Sequence, residues 1–148
     1  MLNTVILDLD DTLFKLGPRK LFYDKNWDRY NSNFQEDELN WDIYEVVKSL
    51  VTTNYSLLIL TGRYERYRQQ TIEQLEGLLP NYSLINDRLV GLVMKPQDDD
   101  RSSFHFKTEW IKNNKDSFKI KLVIDDRDDI LNYCSSELNL ITIKSHNK

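Results

Sequence analysis

Residues 5–14, VILDLDDTLF, run an apolar stretch straight into three acidic residues. In an extended chain residues i and i+2 face the same side, so Asp8 and Asp10 share a face while Leu9 points away into packing. The pattern returns in LVIDDR, residues 122–127, where an apolar run closes on Asp125 and Asp126. A third apolar run, SLLILTGR at 56–63, closes on Thr61, Gly62 and Arg63. Carboxylates at the ends of buried strands are costly unless compensated. Four of them together repel and raise one another's pKa unless a cation sits among them. Oxygen ligands without a nearby Cys or His cluster suit a hard divalent ion, magnesium above all, held by one or two carboxylates and a substrate phosphate. An aspartate in such a site can attack phosphorus and form an aspartyl phosphate, splitting one hard displacement into two easier ones.

Three motifs of this kind must be brought together by three neighbouring strands. Periodicity and breakers predict strands over 4–10, 56–62, 120–126 and 138–144, and helices over 42–54, 63–80, 106–114 and 127–137, with Pro80 stopping the second helix. Two weaker extended segments are expected at 82–86 and 88–95. Such alternation predicts an α/β, Rossmann-like parallel sheet with helices on both faces. In open parallel sheets ligands bind beyond the carboxyl ends of the strands, where all three motifs fall. Residues 17–40 carry no clear period and read as an elaborated insertion or loop. It is too short for a large cap domain, so the catalytic edge is expected to be open. The 148 residues fit one domain, 1–148.

Composition narrows the partners. A net charge of −4 argues against a broad basic surface for wrapping duplex nucleic acid, while leaving room for a local basic funnel around a phosphate end. Cys134 is alone, so no intrachain disulfide forms, which fits a reducing compartment. No secretory signal pattern and no membrane-length apolar run occur, and the expected location is cytoplasmic.

With the motifs in place, Asp8-Leu9-Asp10-Asp11-Thr12 resembles the DxDxT motif of haloacid dehalogenase (HAD) phosphatases. Thr61, Lys107 and Asp125-Asp126 resemble the second, third and fourth motifs. The resemblance implies Asp8 as nucleophile and magnesium ligand. Asp10 would be general acid and then base, its backbone carbonyl also on the metal, with Thr12 holding the loop. Thr61 and Lys107 would bind phosphoryl oxygens; one of Asp125 and Asp126 would bind magnesium directly and the other through water. Within the superfamily, TGR, LVMK and IDDR are similar to stretches of the 3′-phosphatase domain of polynucleotide kinase/phosphatases, which implies Arg63, beside Gly62, and Arg19 as substrate-binding residues. FHFKTEWI, with TLF, LTGR and MKP, resembles the phosphatase domain of "Swiss Army Knife" RNA repair-like proteins. Where the kinase/phosphatase family has an Asp four residues before the motif-three lysine, this chain has Ser103.

Taken together these imply a magnesium-dependent phosphatase for a 3′-phosphate on a DNA or RNA end. Two other readings stay open: a HAD phosphatase for nucleotides, small metabolites or phosphoproteins, and a binding subunit that kept the fold and lost turnover. No Gly-rich phosphate loop or GK[ST] motif supplies kinase chemistry, so a separate repair kinase or ligase is an expected partner. Lys95 rivals Lys107 for the phosphate. Arg63, Arg66 and Tyr67 could form a basic and aromatic lip, and Trp27, Tyr30, Phe34 and Trp41 could stack on bases or pin the insertion. Asp11 reads as a turn residue and the run Asp98–Asp100 as a solvated loop.

Overall fold

The computed structural model describes residues 2–146. Strand β1 (Asn3–Leu7) leads into β2 (Phe14–Lys15), a short helix α1 (Trp27–Tyr30) and β3 (Glu38–Leu39). Then follow α2 (Trp41–Thr52), β4 (Tyr55–Tyr64), α3 (Arg68–Leu78), α4 (Tyr82–Arg88), β5 (Leu89–Lys95), α5 (Ser103–Asn114), β6 (Ile120–Asp125), α6 (Asp128–Ser136) and β7 (Ile141–Lys144). The main sheet has five parallel strands in the order β5-β4-β1-β6-β7.

The alternation of side chains along each strand explains why both faces are covered. Val5, Leu7, Leu57 and Ile59 point into a core shared with Val47 of α2 and Leu75 of α3. Ile6, Leu58 and Leu60 point the other way, against Ile111 of α5 and Ile130 of α6. A strand buried on both faces needs a continuous apolar run, which is how VIL and LLIL read. The expected α/β, Rossmann-like architecture, with helices on both faces of a parallel sheet, is therefore present. Among the described residues no helix is long and apolar enough to cross a membrane.

Several boundaries differ from expectation. Residues 82–86, expected to be extended, form the start of α4: the side chain of Asn81 accepts from the Leu84 N–H at 3.4 Å, and Ile85 turns into the core. An Asn cap satisfies donors that a short apolar run alone does not reveal. The helix expected from residue 63 begins only at Arg68, because β4 continues through Tyr64 into a 3-10 turn over Glu65–Tyr67. The β4–β5 register slips between Thr61 and Tyr64, a bulge at the catalytic edge of the kind that re-aims side chains. Helix α5 starts at Ser103, capped by Ser102, so Lys107 lies in its second turn. The last strand begins at Ile141 rather than 138.

The insertion at 17–40 holds two 3-10 turns, Pro18–Phe22 and Phe34–Glu36, around α1. Its ends are closed by the antiparallel pair of β2 and β3, Phe14 opposite Leu39 and Lys15 opposite Glu38. This element carries Arg19 over the edge of the sheet.

Candidate active site

Asp8 is the first residue past β1, and its N–H still donates to the Ile124 carbonyl of β6 at 3.1 Å. The chain then turns sharply: Thr12 N–H and Phe14 N–H both donate to the Leu9 carbonyl, at 3.1 and 3.0 Å. Asp11 supplies the left-handed conformation, φ 60°, that this turn requires and that Asp tolerates better than bulkier residues. The turn brings the Thr12 hydroxyl back onto Asp8 Oδ2 at 2.7 Å. Thr12 is fully buried, its hydroxyl spent on the carboxylate and its carbonyl held by Asn40 Nδ2 at 3.0 Å. It is placed to orient Asp8 rather than to face the cleft.

Lys107 is only 4% exposed, and its Nζ donates to Asp8 Oδ1 at 2.6 Å and to Asp125 Oδ2 at 3.0 Å. Asp125 in turn accepts on Oδ1 from the N–H groups of Asp126 and Arg127, at 2.8 and 3.1 Å. Lys95, the rival lysine, donates instead to the Arg101 carbonyl. The geometry thus brings Lys107, not Lys95, to Asp8.

Asp8, Asp125 and Asp126 each offer a carboxylate oxygen, and these oxygens lie within 4.8 Å of one another. Burial, then the charge of Asp125, push Asp8 up to about 6 against the opposing pull of Lys107. Burial, then Asp8 and Asp125, push Asp126 up to about 8. Three carboxylates with one ammonium leave an excess of two negative charges, and an all-oxygen donor set with that deficit fits a hard divalent cation. The Asp10 side chain is not part of this cluster.

Asp8 and Asp10 line the same cleft but do not share partners as an extended i, i+2 pair would, because β1 ends at Leu7 rather than at Asp10 and the chain turns between them. Asp10 Oδ1 accepts from Arg19 Nη2 and Arg63 Nη2, both at 2.7 Å. Although burial opposes it, the two guanidiniums hold the carboxyl far below the usual carboxylate range. Both arginines are buried and stack on Phe34, with their guanidinium carbons 4.6 and 4.0 Å from the ring centre. Phe34 therefore pins the insertion to the site and is closed to a base. Arg63 also donates to Thr71 Oγ1 at 3.0 Å, and Arg19 is gripped by Asp37 through Nε and Nη2. Asp37 further accepts from Gly17 N–H at 2.9 Å and Gln74 Nε2 at 2.8 Å.

A cleft of about 890 Å³ opens over these groups. Asp8, Asp10, Thr61, Gly62, Arg63, Lys107 and Asp126 line it; Thr12, Arg19 and Asp125 stand behind as supports. The Thr61 hydroxyl accepts from the Arg63 N–H at 3.1 Å. The expected lip is formed by Arg63 with Tyr64, because the longer β4 carries Arg66 away to pair with Asp28 at 3.3 Å and leaves Tyr67 edge-on to Phe34. Trp41 is exposed against Tyr44, off the cleft, whereas Trp27 and Tyr30 line it. Cys134 is buried and its thiol is pushed up to about 11, which makes it inert. Asp37 and Gln74 carried no sequence signal: one lies in the aperiodic insertion and the other reads as a polar position on α3.

The model of the polynucleotide kinase PNKP phosphatase domain matches residues 2–144. No curated protein sequence matches the chain. A solved Pnkp1/Rnl/Hen1 complex contains a chain 26% identical to this one, with a TM-score of 0.75, covering 97% of this chain and 46% of that one. A second structure, of the Pnkp1/Rnl/Hen1 RNA repair complex, gives 25% identity, a TM-score of 0.75, and coverage of 97% and 42%. This chain thus spans less than half the length of those relatives. The HAD domain of the effector protein Lem4 from Legionella pneumophila, 13% identical with a TM-score of 0.53, covers 99% of this chain and 85% of its own and shares the fold alone. A match running from the first strand to the last, over every motif that meets in the cleft, places the chain in the family of polynucleotide kinase PNKP phosphatase domains.

Proposed function

We propose that this chain is a magnesium-dependent phosphatase that removes the 3′-phosphate from a DNA or RNA end through an aspartyl phosphate on Asp8. The observation that carries the reading is the setting of Asp8: a carboxylate at the cleft floor, oriented by Thr12 and Lys107 and placed beside Asp125 and Asp126. Asp8, Asp126 and, behind them, Asp125 would hold magnesium, with the Asp10 carbonyl as a further ligand. The ion supplies charge compensation for the carboxylates and for the phosphoryl oxygens.

The residues divide the work as follows. A carboxylate oxygen of Asp8 attacks phosphorus; the bond to the 3′-oxygen breaks, and that oxygen takes a proton from Asp10. Lys107 and the Thr61 hydroxyl neutralise the phosphoryl oxygens as charge develops. Asp10, now anionic, takes a proton from the water that attacks the aspartyl phosphate, and inorganic phosphate leaves. The guanidiniums of Arg19 and Arg63 favour the anion, which leaves Asp10 ionised but a weak base in the resting site, so proton transfer in either direction needs one of these pairs loosened. For the acid step Asp10 must gain its proton as the incoming phosphate anion draws Arg63 toward itself.

The cleft is open at its outer side, which suits the end of a macromolecule. The described residues hold no Gly-rich phosphate loop, so any 5′-end chemistry lies outside them. The test is phosphate release with magnesium from a 3′-phosphorylated oligonucleotide, its 5′-phosphorylated twin and p-nitrophenyl phosphate. Selective 3′ release supports the reading. Release from the small ester alone keeps a phosphatase and discards the nucleic-acid substrate; a chain inert on all three is a binding subunit or acts on another ester.

A further inference from the structure

We propose that Tyr23, Trp27 and Tyr30 form a stacking platform for a nucleobase at the 3′ end of a single strand. The proposal rests on the phosphatase reading above and adds to it a second subsite, on the insertion.

The three rings line the same cleft as Asp8 and Lys107. They support one another edge to face: Tyr23 and Trp27 at 5.1 Å and 84°, Tyr23 and Tyr30 at 5.3 Å and 69°, Trp27 and Tyr30 at 5.6 Å and 88°. An edge-to-face contact spends the face of one partner only, so the cluster keeps ring faces for a third party. Tyr23 is 56% and Trp27 46% exposed, although Phe34 in the same insertion is 4% exposed. The insertion therefore has a route to bury aromatics and does not use it for these two.

The platform is held in place. Asn26 caps the Arg29 N–H at 3.1 Å, and Asn31 Nδ2 donates to the Trp27 carbonyl at 2.8 Å. Arg19 donates to the Tyr30 carbonyl at 2.9 Å and lies 5.1 Å over its ring, so the guanidinium that binds Asp10 also fixes the platform. Burial and the nearby Asp10 carboxylate push the Tyr30 hydroxyl upward, and it stays protonated.

Around the rings, Lys20, Arg101 and Arg127 line the cleft. Each is engaged at the surface: Lys20 with Asp11 at 3.4 Å, Arg101 with Asp99 and Glu109 at 2.7 and 2.6 Å, Arg127 with Asp129 at 2.7 Å. The long Lys20–Asp11 contact is worth little and exchanges readily for a phosphate, while the forked Arg101–Asp99 and Arg127–Asp129 pairs hold their guanidiniums in place along the cleft. Aromatic faces flanked by cations along a groove are the chemistry of single-stranded nucleic acid, since every base has a π-face. A net charge of −4 does not supply the broad basic surface that a duplex needs.

The test compares the full chain with Trp27→Ala, Tyr23→Ala and Trp27→Phe on four esters: a 3′-phosphorylated single-stranded oligonucleotide, the same oligonucleotide with an abasic 3′-terminal nucleotide, a nucleoside 3′-phosphate, and glycerol 2-phosphate, which has no ring. Trp27→Ala is expected to raise KM for the oligonucleotide about tenfold, as loss of one base stack does, while glycerol 2-phosphate is unchanged and Trp27→Phe retains most of the affinity. An equal loss on the nucleoside 3′-phosphate, with the abasic substrate insensitive, places the terminal base on the platform. A loss on the oligonucleotides alone places an inner base there. Unchanged KM in both alanine variants, or an equal loss on glycerol 2-phosphate, overturns the platform while leaving the phosphatase reading intact. Wild-type protein that hydrolyses glycerol 2-phosphate and no nucleic-acid ester overturns the platform and the nucleic-acid substrate together, while keeping a phosphatase.

Discussion

Asp8 shares the Lys107 ammonium with Asp125 and lies in a cluster of three carboxylates, and replacing it separates chemistry from folding. In the metal-free chain Asp8→Asn removes a carboxylate that burial and Asp125 already push up to about 6, and relieves Asp126, pushed up to about 8 in part by Asp8. The variant is expected to melt at or above the wild-type temperature without metal while phosphate release falls at least about a thousandfold. Calorimetry beside a phosphate assay checks it; a variant that unfolds earlier contradicts the electrostatic account. Asp37 is the opposite case. Its side chain is fully buried between Arg19, Gln74 and the Gly17 N–H, and 4.0 Å from Arg63. Asp37→Ala leaves two buried guanidiniums sharing Asp10, and is expected to cost about 3 kcal/mol in urea denaturation. The two carboxylates also differ in legibility. Asp8 and Asp10 can be read from an i, i+2 spacing at a strand end, a local pattern. Asp37 lies 18 residues from Arg19 in a stretch without period, and its role exists only once the insertion has folded back.

At the scale of elements, the insertion depends on a close backbone approach. A Cβ on Gly17 would stand 2.5 Å from the Glu36 carbonyl oxygen, a backbone atom that cannot swing aside. Gly17→Ala must push apart the two ends of the segment that carries Arg19 and Asp37. A destabilisation of about 1–3 kcal/mol is expected, with phosphate release reduced because Arg19 loses its register on Asp10. Equilibrium denaturation and the oligonucleotide assay read the two effects; a neutral Gly17→Ala removes the insertion from the account of the site. The parallel strands were readable from their continuous apolar runs, and the three strand-end motifs were readable as converging for the same reason. What periodicity does not register is where an element ends by hydrogen bonding. Residues 82–86 are helical because Asn81 caps them, and β4 runs on through Tyr64 because β5 offers a partner at Lys95 across a bulge. That bulge puts Tyr64 rather than Arg66 and Tyr67 on the rim of the cleft.

For the whole molecule, the uncompensated carboxylates set a dependence on pH and metal that stability measurements can read. In the metal-free chain Asp8 and Asp126 are raised from the ordinary carboxylate value of 3.8 to about 6 and about 8. Between these limits the folded state binds more protons than the unfolded state, so the stability of the metal-free chain falls as pH rises from about 5 toward 8. The groups facing the pair do not cancel this. Lys107 is raised by Asp8 and Asp125 against burial and stays charged throughout, and Asp10, lowered by Arg63 and Arg19, loses its stabilising contribution only in acid. A divalent cation among Asp8, Asp125 and Asp126 pairs with the ionised forms and competes with their protons. Magnesium is therefore expected to raise the melting temperature more at pH 8 than at pH 5 and to flatten the pH profile. Thermal melts from pH 5 to 8.5, in chelator and in magnesium, measure both slopes. A metal-free stability that rises with pH, or a profile that magnesium leaves unchanged, would show that the carboxylate cluster is balanced by the chain's own groups and not by an ion.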